Sequence, residues 1–161
     1  IPCGVGALAA AAVRHYAGST PHRPRLIAVE PESAACLLAS RRAGHPVTVS
    51  GPHRSIMAGL NCDEPSLVAW PDVSAGINGF LAIDDAWTRY AMRLLASSGI
   101  KAGETGAAAL AGLLAVVRSE GGPSRQELGL TQDAQVVLLM TEGVTDPANY
   151  ARVVGESGPD D

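Results

Sequence analysis

The chain has 161 residues, 47% hydrophobic and 17% charged, with a net charge of −4. That composition can bury a core as one domain or most of one, and it excludes a disordered polypeptide. Its 12 basic residues are scattered, which argues against a nucleic-acid partner, and no run reaches the roughly 18 apolar residues of a membrane span.

Aromatic residues make up only 4% while Ala, Gly, Val and Leu dominate, as expected where helices pack closely on aliphatic strands. Ala7 to Tyr16 reads as a helix, "GSTPHRPR" as a breaker-rich loop, and "LIAVE" (Leu26 to Glu30) as a short buried strand ended by Pro31. "ESAACLLASRRAG" reads as a second helix closed by Gly44. "HPVTVS" is a short strand or an extended connector, Gly51 to Asn61 is irregular, and the segment through Trp70 and Pro71 has no assigned structure. "GFLAI" (Gly79 to Ile83) reads as a strand. Asp84 then caps a helix to about Ser97 that turns Trp87, Tyr90, Ala91 and Leu94 to a core. "ETGAAALAGLLAVVRSEGG" is a helix ending at Gly121–Gly122, "QVVLLM" (Gln135 to Met140) is the strongest strand signal, and the polar tail "ESGPDD" is expected to fray. The order of elements predicts an α/β fold, a mostly parallel sheet flanked by helices, with ligands at the carboxyl ends of its strands.

The opening "CGVGALAAA" places the amides of Gly4, Val5, Gly6, Ala7 and Leu8 at a helix N-terminus, where they can close on an anion. The same letters match G-x-G-x-x-A, and Glu30 ends the next strand, so a Rossmann-like dinucleotide or other phosphate-binding module is one reading. A plain glycine turn is another. A loop of this kind needs a strand to aim it, and only Ile1, Pro2 and Cys3 stand in front. His15, His22, His45 and His53 share no metal-ligand spacing, so no metal is expected, and Ser19, Ser33 and Ser55 lack a nucleophile-elbow context. Cys3, Cys36 and Cys62 form no CxxC pair, which fits a reducing cytoplasm, and the start lacks a signal-peptide pattern.

Taken in order, "CGVGALAAA", "IAVEP", "SIMAGLNCDEPS", "ETGAAALAGL" and "LLMTEGVTDP" resemble the fold-type-II pyridoxal-phosphate enzymes, the tryptophan synthase β-like group that includes threonine and serine dehydratases. Dehydratases usually carry an acid just before the glycine of the third segment. Ala58 stands there, so the chain looks most like the diaminopropionate ammonia-lyase branch, with a threonine or serine dehydratase as the alternative. The resemblance implies pyridoxal 5'-phosphate as cofactor and α,β-elimination on 2,3-diaminopropionate to pyruvate and ammonia, in the amino-acid metabolism of a cytoplasmic homodimer. It matches Gly4, Val5, Gly6, Ala7 and Leu8 to the phosphate cradle, Glu104 to an acid near the cofactor, and Thr141 to a hydroxyl beside the pyridine nitrogen. Met57, Ala58, Gly59 and Leu60 would border the pocket of a small amino-acid substrate. In this family the acid of "VEP" binds no ribose, which removes the second support for a dinucleotide.

The family's Schiff-base lysine precedes the glycine loop, and the one lysine here, Lys101, follows it. The resemblance therefore implies that residues 1–161 are the C-terminal portion of the large cofactor-binding domain. The cofactor-bearing lysine and the small domain would lie upstream, and the chain alone would be inactive.

Overall fold

The computed structural model describes residues 1–19, 23–118 and 125–155. At its centre β1 (Ile27–Pro31) and β2 (Gly79–Ile83) run parallel, in register from Ile27 opposite Gly79 to Pro31 opposite Ile83. Residues 1–3 lie parallel along β1 as well. Cys3 N donates to Val29 O and Val29 N to Ile1 O, each at 2.9 Å, and Pro2 bridges to Val29. Residues 1–3 thus act as the strand in front of the glycine loop, held in line by β1, and the expectation that its supporting strand is missing is corrected to that extent.

Side chains alternate across a strand, so each face of the sheet needs a cover. Val29, Leu81 and Ile83 enter one core with α4 (Asp85–Ser97) and α5 (Glu104–Arg118). Ala28 and Phe80 enter the other, beneath α1 (Ala7–Ser19), α2 (Cys36–Ala43) and α3 (Trp70–Gly76). The small residues of α5 let it sit close to the sheet: a Cβ on Gly112 would lie 2.6 Å from Val29 Cγ2. Gly44 takes the left-handed conformation at φ +79° and closes α2. Asp84 Oδ1 accepts from Ala86 N at 2.7 Å and caps α4.

Several expectations need correction. Gln135 to Met140 form no strand. The run pairs with no strand among the described residues, leaving Val137 76% exposed, and a cavity of about 410 Å³ lined by Ile1, Tyr16, Ile27 and residues 134–139 lies beside it. The segment from His45 to Ser50 is a connector. Trp70–Gly76 is helical, and α6 (Pro147–Gly155) forms where no helix was expected, with Asp146 Oδ1 accepting from Asn149 N at 3.0 Å. In α4, Ala91 is buried and Trp87 packs on the core, but Leu94 is exposed and Tyr90 carries the Arg118 guanidinium 4.9 Å above its ring. Gly121–Gly122, residues 20–22 of the first loop and the tail from residue 156 lie outside the described residues. Among the described residues, no helix is long and apolar enough to cross a membrane.

Candidate functional site

Because the strands are parallel, the segments that leave their carboxyl ends gather at one edge. Gly4 to Gly6 follow residues 1–3 there, Glu32 to Ala35 follow β1, and Asp84 and Asp85 follow β2. Gly6 sits at φ +94°, a conformation that suits glycine, and turns the chain into α1. Among the described residues the amides of Gly4, Gly6, Ala7 and Leu8 have no hydrogen-bond partner, as expected for the first turn of a helix. The loop is also tightly enclosed: a Cβ on Gly4 would come 2.8 Å from Cys62 Sγ and 3.2 Å from Gly59 O. Free amides, a helix N-terminus and no room for a side chain together make a cradle that fits a phosphate. Val5, Ala7 and Leu8 are exposed at its mouth.

The three thiols beside the cradle are uncharged. Burial pushes the Cys3 and Cys36 thiols up to about 12 and raises Cys62 too, so all three stay protonated at neutral pH. Glu30 is fully buried and raised by burial to about 7. Its two oxygens accept from Leu37 N at 2.7 Å and Leu38 N at 2.9 Å, at the start of α2. The carboxylate is thus occupied as a helix cap, which removes the ribose-binding role a dinucleotide would need.

Residues 57–62 pack against the cradle. Met57 and Leu60 are buried in the core, while Ala58 and Gly59 are exposed beside the loop. The amides of this segment are already used: Gly59 N donates to Thr105 Oγ1 at 3.2 Å, and those of Ala58, Leu60, Asn61 and Cys62 donate to carbonyls within residues 56–60. It can therefore meet a ligand by shape and not by amide donation. Beyond Thr105 the chain of contacts continues. Thr105 N donates to Glu142 Oε1 at 3.2 Å, and a Cβ on Gly106 would lie 2.2 Å from Glu142 O. Glu104 is buried in the first turn of α5 and accepts from Asn149 Nδ2.

The structure thus brings together Gly4 with 59–62, Gly59 with Thr105, and Thr105 with Glu142. Thr141 stands exposed next to Glu142, at the end of an unpaired segment rather than of a sheet strand. Lys101 is exposed three residues before α5. Sequence reasoning passed over Cys62, Thr105, Glu142 and Asn149 as contact residues. The first three lie inside the quoted motifs, so position in a motif was the available signal.

Residues 1–142, which include this glycine loop at the carboxyl edge of the parallel sheet, match the family model of the pyridoxal-phosphate dependent enzymes. The chain belongs to that family. It is 35% identical to the diaminopropionate ammonia-lyase of Escherichia coli (strain K12), over 97% of this chain and 41% of the relative. A crystal structure of holo diaminopropionate ammonia lyase from Escherichia coli superposes with TM-score 0.82 at 32% identity, covering 96% of this chain and 40% of that one. A crystal structure of the T.th. threonine deaminase is less similar, with TM-score 0.66 and 26% identity over 70% of this chain and 40% of that one. The chain spans about two fifths of the length of the curated relative it matches.

Proposed function

We propose that the polypeptide carrying these residues is a pyridoxal-phosphate dependent ammonia-lyase that eliminates across the α,β bond of 2,3-diaminopropionate and releases pyruvate and ammonia. The single observation that carries this reading is the continuous contact from Gly4 through 59–62 and Thr105 to Glu142, which joins four separate motif segments at one edge. Greater similarity to the ammonia-lyase than to the threonine deaminase, together with Ala58 in place of an acid, favours this substrate over threonine.

In this reading the amides of Gly4, Gly6, Ala7 and Leu8 and the dipole of α1 bind the cofactor phosphate, while the Val5 amide, matched to the cradle by sequence, is turned to Cys62. The bound cofactor supplies an electron sink for the α-carbon. The Thr141 hydroxyl would serve as a neutral partner of the pyridine nitrogen, Glu104 would lie near the cofactor, and Ala58 and Gly59, held by the buried Met57 and Leu60, would border the amino-acid side chain. The lysine that bears the cofactor lies elsewhere in the polypeptide, since Lys101 sits on the far side of the cradle in sequence. Residues 1–161 are then the C-terminal portion of the cofactor-binding domain of a cytoplasmic homodimer.

Pyruvate release from 2,3-diaminopropionate, serine and threonine tests the reading. The full polypeptide should prefer diaminopropionate, and the 161 residues alone should be inactive. Preference for threonine, or activity of the 161 residues that Lys101→Ala abolishes, would overturn it.

A further inference from the structure

Residues 55–61 form a closed ring. Asn61 Nδ2 donates to Ser55 O at 2.8 Å and Asn61 Oδ1 accepts from Ser55 N at 3.2 Å, so one side chain joins both ends of the loop. Within it, Met57 N donates to the Ser55 hydroxyl at 3.0 Å. That hydroxyl donates in turn to Asp85 Oδ1 at 2.5 Å, and Ile56 N donates to Asp85 Oδ2 at 3.0 Å. Both carboxylate oxygens of Asp85 are therefore spent on the loop, the Ser55 bond being a short one.

Asp85 is not needed where it stands to finish the helix. Asp84 already caps α4, and an acid in the first turn gains dipole stabilisation whichever way it points. Its carboxylate instead ties the end of β2 to the ring that presents Ala58 and Gly59. With its amides engaged, that ring meets a substrate by shape, so its selectivity depends on where its peptide plane is held.

We infer that Asp85, acting through Ser55, is a positioning residue for substrate choice: it fixes the Ala58–Gly59 peptide so that the pocket accepts a short β-substituent and rejects a branched one. This rests on the ammonia-lyase reading above. The test uses the full polypeptide and compares Asp85→Asn and Ser55→Ala with the parent, measuring kcat/KM for 2,3-diaminopropionate and threonine, pyridoxal-phosphate affinity and Tm. Asp85→Asn should raise KM for diaminopropionate and cut the preference over threonine by about tenfold, the scale of one methyl group in a pocket. Cofactor affinity should be unchanged. Ser55→Ala should shift the preference in the same direction but less, because the Ile56 bond to Asp85 remains, and it decides the matter if Asp85→Asn does not fold. A uniform loss for both amino acids, or an unchanged preference in a folded variant, overturns the inference. A parent that binds the cofactor but eliminates from neither amino acid overturns the function reading, and this inference with it.

Discussion

Residues 27–31 and residues 135–140 are both short aliphatic runs, yet only the first is a strand. β1 has a hydrogen-bonded neighbour on each side, residues 1–3 and β2, and a helical layer on each face. The later run has no hydrogen-bonded strand beside it among the described residues and leaves Val136, Val137, Leu138 and Met140 exposed. Local preference nominates a strand, but the ladder and the burial that stabilise it come from chain far away in sequence. The candidate site falls on the well-supported side of this divide: its loop residues Met57 and Leu60 are anchored in the same core as Val29.

That contrast predicts unequal sensitivity. Met57 is fully buried, so Met57→Ala should cost about 2–5 kcal/mol in urea denaturation. A loss near zero would place the loop outside the core. Gly106→Ala should come next. Its Cβ would meet the Glu142 carbonyl at 2.2 Å, a backbone atom that cannot swing aside, and overpacking of this kind costs about 1–3 kcal/mol despite the helix preference of alanine. Gly143→Ala, with nothing within 4 Å of its Cβ, is the control and should be nearly neutral.

Glu30 adds a pH signature. Burial raises its folded pKa from 4.5 to about 7, so the folded chain holds the proton more tightly than the unfolded one. Its contribution is fully present below the unfolded value and is lost as pH rises through the folded one, by at most about 1.4 kcal/mol per pH unit. Relative to Glu30→Gln, the parent should therefore lose stability between about pH 5 and about pH 7.5. A difference that stays flat over that window would contradict the burial argument. Val137→Ser is the smallest expected change, within about 0.5 kcal/mol, because the side chain is already in solvent. In the same molecule amide exchange should protect Val29 and leave Val137 open.

What could be read from the sequence follows the same division. α1, α2 with its glycine stop, α4 with its Asp84 cap and both strands of the sheet carry their signals within a few residues. The start of α6 carries a local signal too, since Asp146 followed by Pro147 is a cap and a first-turn proline. Trp70–Gly76 has a first-turn proline as its start signal and no side-chain cap to add to it. The contacts of Cys62 with Gly4, and of Asp85 with Ser55, join residues far apart in sequence, and no local pattern announces them. For the site, the motif order named the segments and the fold supplied their adjacency.

The central claim is that the Gly4 loop grips a phosphate, and the most direct measurement compares the affinity of the full polypeptide for pyridoxal phosphate and for pyridoxal, in the parent and in Gly4→Val. A valine at this position would meet Cys62 Sγ and the Gly59 carbonyl and force the cradle open. The account predicts that the parent prefers the phosphate form by at least about tenfold, as charge-assisted amide bonds imply, and that the preference collapses in the variant. A parent that binds both forms equally, or a folded variant that keeps the full preference, would contradict it.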